Sequence, residues 1–262
     1  MMWTTQPRSE IAGYPAIVKG KGQPVLFLHG VGLRAEAWAA QLDGLANHAQ
    51  VFAPDMLGHG ENKRSRSSQT MSDYLDVTSA ILGSLPFPAI VVGHSMGSML
   101  ALALAKQHPD LVETVVALNA IFDRSNAAAK AVQSRADELD GVTQVDPTVT
   151  LERWFEDKES PERDACRSWL ETVDPSAYKS AYTAFAYSQI PNRELLTNVA
   201  CPSIFMTGVQ EPNSTPAMST TMAEIVPRGR AIIVEGAAHM LPMTHPDQVN
   251  SVLLEILEGA AQ

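Results

Sequence analysis

The chain has 262 residues, 45% of them hydrophobic and 6% aromatic, and a formal net charge of −10. That acidity excludes non-specific attraction to nucleic acid or to an anionic membrane, which are themselves polyanionic. Two cysteines, Cys166 and Cys201, are too few for a disulfide framework and are expected to be buried free thiols.

The opening MMWTTQPRSE lacks the apolar core of a signal peptide, and no apolar run is long enough to span a bilayer, so a cytoplasmic protein is expected. PVLFLHG (24–30) is a continuous apolar run ending in glycine, as in a strand covered on both faces. AEAWAAQLDGLANH follows as an amphipathic helix, then QVFAPD as a strand ending at Asp55. The basic run NKRSRS (62–67) is expected to be a solvated loop able to attract an anionic substrate. TMSDYLDVTSAILGSL offers Thr70 or Ser72 as a helix cap. FPAIVVG is a strand, SMLALALAKQH a helix and LVETVVALNA a strand. From 121 to 191 no strand-like run occurs, and the stretch reads as helices broken at Pro147, Pro161 and Pro175. Strands resume with CPSIFMTG and RAIIVEG, and PDQVNSVLLEILEG closes the chain as a helix. Alternating strands and helices imply a mostly parallel sheet flanked by helices, an α/β core over 1–120 and 192–262, with 121–191 inserted as a helical cap.

The segment VVGHSMGSMLALAL sets Ser95 between Gly93 and Gly97 where a strand meets a helix. A G-x-S-x-G sequence in that context is a nucleophile elbow: the turn is so tight that its flanks must lack side chains, and it lifts the serine hydroxyl above the strand ends. A serine needs a base, and the base needs an orienting acid. His239, after AIIVEG, is the expected base; His245, ahead of Pro246, reads as a capping or surface residue. His94 adjoins the serine, with its side chain expected to point away from it. Two carboxylates at strand ends compete for the acid: Glu211 in FMTGVQEPNSTP, which is favoured, and Asp123 after LVETVVALNA. Tyr182, Phe185 and Tyr187 in the inserted segment either line a pocket or pack the cap.

With HGVG after an early strand, DMLGHGEN after the next, GHSMG at the elbow, GAAHMLPMTHP near the end, and the order Ser95, Glu211, His239, the chain resembles the α/β-hydrolase family over nearly its whole length. The resemblance implies an α/β-hydrolase fold and an oxyanion hole made by two backbone N–H groups, at Val31 and Met96 by position. Such preorganised donors are what a tetrahedral intermediate requires. It also implies small, lid-bearing esterase or lactonase chemistry on a small-molecule substrate. A monomer or homodimer is expected, with no cofactor, and with no metal because no histidine, cysteine and carboxylate cluster has ligand spacing. GVQEP departs from the commoner aspartate pattern. Hydrolases of this family that cleave C–C bonds in dienone acids carry a tryptophan shortly after the histidine, whereas Met240, Leu241 and Pro242 stand here. A C–C bond hydrolase, a perhydrolase and a non-catalytic small-ligand receptor of the same fold are the alternatives.

Overall fold

The continuous apolar runs become strands in the computed structural model, which describes residues 3–65, 68–86 and 88–260. The strands are β1 (Ser9–Ile11), β2 (Tyr14–Gly20), β3 (Pro24–Leu28), β4 (Gln50–Pro54), β5 (Ala89–His94), β6 (Val112–Leu118), β7 (Ser203–Gly208) and β8 (Gly229–Val234). They form one sheet in the order β1-β2-β4-β3-β5-β6-β7-β8. β1, β2 and β4 pair antiparallel, and every pairing from β4 to β8 is parallel. Side chains of β3 and β5 alternate between two cores: Leu26, Leu28 and Val91 on one face, Val25, Phe27, Ile90 and Val92 on the other. Burial on both faces is why these strands read as unbroken apolar runs.

The helices are α1 (Ala39–Leu45), α2 (Met71–Gly83), α3 (Met96–Gln107), α4 (Asn126–Glu138), α5 (Thr148–Phe155), α6 (Pro161–Thr172), α7 (Pro175–Ala186), α8 (Arg193–Thr197), α9 (Pro216–Ile225), α10 (Leu241–Thr244) and α11 (Pro246–Ala260). A 3-10 turn at Ala35–Trp38 precedes α1, so the helix expected from residue 35 starts later as α-helix. Thr70, not Ser72, caps α2: its side chain accepts from Asp73 N–H while Asp73 reaches back to the Thr70 N–H. The 121–191 segment folds into α4 to α7, with Pro161 and Pro175 each at the start of a helix, where proline is tolerated.

Two expectations need correction, at Cys201 and at Asn62. Cys166 is buried, but Cys201 is only half-buried, because it precedes Pro202 at the mouth of β7 rather than lying inside it. β1 and β2 escape a reading by periodicity, since YPAIVKG carries Pro15, Lys19 and Gly20 and buries only part of its length at the antiparallel edge. Of NKRSRS, Asn62 is buried and donates to the Asp55 carbonyl, while Lys63, Arg64 and Ser65 are exposed; Arg66 and Ser67 lie outside the described residues, as does Phe87 of FPAIVVG. Among the described residues no helix is long and apolar enough to cross a membrane.

The parallel strands end at one edge, with Leu28, Gly93 and Ala117 in register across β3, β5 and β6, and Gly208 facing Val234 across β7 and β8. The loops leaving this edge carry Val31, Ser95, Asn119, Glu211 and His239. In open α/β sheets the carboxyl ends of the strands are where ligands bind.

Candidate active site

Ser95 takes φ 54° and ψ −118°, a conformation non-glycine residues avoid, between the end of β5 and the first turn of α3. Its N–H donates to the Leu118 carbonyl at 3.0 Å, which ties the turn to β6. A methyl group added at Gly93 would lie 2.1 Å from the Gly97 carbonyl oxygen, and one at Gly97 would lie 2.0 Å from the Leu28 carbonyl oxygen. The elbow therefore exists only because both positions are glycine. Gly30 meets it from the neighbouring loop, with the Ser95 Cβ 3.1 Å from where its own Cβ would stand.

His239 follows β8 and is 6% exposed. Its Nδ1 hydrogen-bonds Glu211 Oε2 at 2.5 Å, which leaves Nε2 as the ring's free nitrogen. Glu211 is 2% exposed, on the loop after β7. Its Oε1 accepts from the N–H groups of Asn213 (2.8 Å) and Ser214 (3.3 Å), and its Oε2 also accepts from Asn119 Nδ2 (3.1 Å). Burial would push this carboxyl up. The charge and hydrogen bond of His239, with the two backbone donors, outweigh it and hold the group down at about 2. Asp123 has no such setting: it is exposed, on the loop that opens α4, and makes no contact with His239 among the described residues.

His94 turns toward His239. Its Nε2 donates to the His239 backbone carbonyl at 2.8 Å, and the two rings lie 4.9 Å apart. Burial, then the neighbouring charge of His239, pushes His94 down to about 3, so it stays neutral and supports the segment carrying His239. Asn119, with φ 51° at the end of β6, bridges Glu211 to the Thr207 hydroxyl and the Ala238 carbonyl. Neither role is visible in the sequence, because each depends on contacts across 88 or more positions.

The N–H groups of Val31 and Met96 have no protein acceptor among the described residues. Val31 precedes Gly32, whose N–H donates to His59 Nε2 at 3.0 Å; Met96 is the first residue of α3. Beneath that loop lies a buried charge network. Arg8 pairs with Glu36 and with Asp55, each at 2.7 Å, and Arg34 pairs with Glu36 at 2.8 Å. Asp55 also accepts from the N–H groups of Ala35 and Glu61, so a single carboxylate holds two loops together.

The cap closes over this edge. A methyl at Gly32 would stand 2.5 Å from Leu170 of α6, and one at Gly58 would stand 2.5 Å from Ala177 of α7. The resulting cavity, of about 590 Å³, is lined by Ser95 and His239 below and by Arg124, Arg135, Arg153 and Tyr182 above. Phe185 also lines it, whereas Tyr187 is 46% exposed and spends its hydroxyl on Asp137. No tryptophan follows His239 in sequence, yet Trp154 of α5 stacks on its ring at 5.6 Å and 25° between planes. Of the basic run, the described residues Asn62, Lys63, Arg64 and Ser65 do not line this cavity. No group of three or more His, Cys, Asp and Glu side chains able to hold a metal occurs among the described residues.

The sequence profile of the alpha/beta hydrolase family matches residues 25–252. The chain is 34% identical over 243 residues to the (E)-2-((N-methylformamido)methylene)succinate hydrolase of Acinetobacter baylyi, covering 92% of both. The fold is shared with an esterase from Thermogutta terrifontis (TM-score 0.84, 23% identity, 97% of this chain and 99% of that one). It is shared as well with the enol-lactonase of Burkholderia xenovorans (TM-score 0.82, 21% identity, 96% and 100%).

Proposed function

The chain belongs to the alpha/beta hydrolase family, and from that premise we propose that it is a serine hydrolase cleaving a small carboxylic ester or lactone through an acyl-enzyme. One observation carries the reading: a serine at φ 54° in a glycine-flanked elbow shares a cavity with a histidine whose far nitrogen is engaged by a buried, ionised glutamate. In this reading Ser95 Oγ attacks the carbonyl carbon and His239 Nε2 takes its proton. The negative charge that forms on the carbonyl oxygen is held by the N–H groups of Val31 and Met96. Collapse of the tetrahedral intermediate breaks the bond to the leaving group, which leaves with the proton from His239. Water, deprotonated by the same nitrogen, then attacks the acyl carbon and releases the carboxylic acid and Ser95. Glu211 fixes the tautomer that leaves Nε2 free to accept and stabilises the imidazolium. No step calls for a metal or an organic cofactor.

A second reading shares every step but changes the scissile bond. The Acinetobacter baylyi relative is named for a succinate bearing an N-methylformamido-methylene group. An amide whose nitrogen carries an unsaturated dicarboxylate thereby joins esters and lactones as a candidate substrate. Trp154 stacks on His239 from the cap, in the place where C–C bond hydrolases of this fold carry a tryptophan after the histidine, which keeps C–C cleavage by the same residues as an alternative.

A fluorophosphonate probe tests the common mechanism. It should label Ser95, and Ser95→Ala should lose on the order of a million-fold in turnover, as where such residues act as a unit. Labelling elsewhere with activity retained in the alanine variant would overturn it. A panel of aryl esters, lactones and N-formyl enamides then separates the two readings.

A further inference from the structure

We propose that Arg124, Arg135 and Arg153 of the cap form a carboxylate-binding subsite facing Ser95, and that the acyl substrate is a dicarboxylate. The identity of the reaction rests on the serine-hydrolase reading; the binding does not.

All three arginines line the cavity that holds Ser95 and His239. Among the described residues Asp123, at the exposed rim, is the one acidic residue lining it, which leaves a balance of two positive charges inside a chain of net charge −10. Elsewhere the mostly buried Arg8, Arg34 and Arg163 each pair with a carboxylate. Among the described residues, none of the three cap arginines has a carboxylate oxygen within 4.0 Å. Their partners are neutral: Arg135 donates to the Tyr182 hydroxyl at 3.1 Å, and Arg153 donates to the Val149 carbonyl and the Thr150 hydroxyl, each at 3.2 Å. Arg124 lies over the Phe185 ring at 4.5 Å, with its Nη2 buried and without a hydrogen-bond partner among the described residues.

Such an arrangement is unfavourable unless something completes it. A buried guanidinium nitrogen without an acceptor forfeits its hydration. Burial and the charge of Arg135 both press on Arg153, lowering its affinity for its proton, yet a guanidinium does not deprotonate in a protein. An anion between Arg135 and Arg153 would relieve their repulsion, and a second beside Arg124 would supply the missing acceptor. The planar guanidinium fork matches a carboxylate. Arg135 and Arg153 are held by Tyr182 and Thr150, and Arg124 by Phe185, whose ring lies 6.0 Å from that of Tyr182 one turn along α7. Two adjacent places a few ångströms apart suit two small carboxylates on one short chain better than a single larger anion.

Titration calorimetry on Ser95→Ala reads the subsite without turnover. Succinate should bind, dimethyl succinate should not compete with it, and inorganic phosphate should bind more weakly. Adding Arg124→Gln, Arg135→Gln or Arg153→Gln should weaken succinate about tenfold each, the scale of a charge-assisted hydrogen bond, and Arg153→Lys should recover part of the loss. On the wild type, kcat/KM for monomethyl succinate should exceed that for methyl butyrate by about tenfold or more, and the ratio should collapse in the glutamine variants. Equal binding of succinate and its dimethyl ester, or tighter binding of phosphate, overturns the proposal. Succinate binding as described with neither ester turned over leaves the subsite standing and removes the hydrolase reading. Equal turnover of both esters without succinate binding does the reverse.

Discussion

Replacing Glu211 by glutamine removes one charge and almost no volume, and the hydrogen bonds around it determine the outcome. The glutamate presents acceptors only: Oε2 to His239 Nδ1 and Asn119 Nδ2, Oε1 to the N–H groups of Asn213 and Ser214. A glutamine cannot serve both ends. With its NH₂ toward His239, the imidazole must accept at Nδ1 and carry its proton on Nε2, where it cannot take one from Ser95. With its NH₂ toward Asn213 and Ser214, donors face donors, and buried N–H groups lose their acceptor at about 1–3 kcal/mol. The first arrangement, or a mixture of the two, should reduce kcat up to about ten-thousand-fold, roughly 5 kcal/mol of transition-state stabilisation. Raising the pH should not restore the rate, since deprotonation of the imidazole does not correct its tautomer. Asp123→Asn, on an exposed side chain away from His239, should stay within a few-fold. The assay is kcat on a neutral aryl ester, normalised by fluorophosphonate titration of Ser95, with near-ultraviolet circular dichroism to show that both variants fold. A severe Asp123→Asn beside a near-wild-type Glu211→Gln, both folded, would refute the assignment of the orienting acid.

Gly97→Ala should fail to accumulate as folded protein or lose about 3 kcal/mol or more, because its methyl would stand 2.0 Å from a strand carbonyl; a melting temperature equal to wild type would contradict the elbow geometry. His29 and His94 are both held at about 3, by burial first and then by the charge of a neighbouring histidine, against 6.5 unfolded. Between those values the unfolded chain binds the proton and the native one does not, so stability should fall as pH drops below 6.5, by up to about 1.4 kcal/mol per pH unit for each. Chemical denaturation at pH 7 and pH 5 measures this, and a flat profile rejects it. Exhaustive dialysis against EDTA should leave ester turnover unchanged, and a loss restored by Zn²⁺ or Mn²⁺ would count against the metal-free mechanism.

Residues alone reveal what local physics enforces. A strand buried on both faces must be apolar throughout, and a turn as tight as that at Ser95 must be flanked by glycine, so both leave marks within a few positions. Thr70 and Asp73 form a cap three residues apart and are equally local. The rest is written in contacts between distant segments. Asn119 and His94 sit in runs that say only that a strand is ending, and their tasks appear when β7 and β8 arrive beside them. The cap is the clearest case. Helical spacing shows that α4 and α5 have faces, but which face meets Ser95 depends on how they pack over it. In sequence, Arg135, Arg153 and Trp154 therefore look like ordinary members of a charged, aromatic-bearing stretch. β1 and β2 stay hidden because an antiparallel edge needs no continuous apolar run.

Arg8 gives the N-terminal segment a standing unlike that of an ordinary tail. It comes from ahead of the sheet, yet its guanidinium reaches Glu36 and Asp55, two carboxylates with fully buried side chains, next to the loop carrying Val31. In effect it is a tethered ligand for a site the rest of the chain builds. A protein cut after residue 8 would keep Ser95, Glu211 and His239, and Glu36 would still have Arg34, but Asp55 would be left with N–H donors alone. Free guanidinium at millimolar concentration could then take the empty place, so that an activity lost by clipping a few residues would return on adding a small cation.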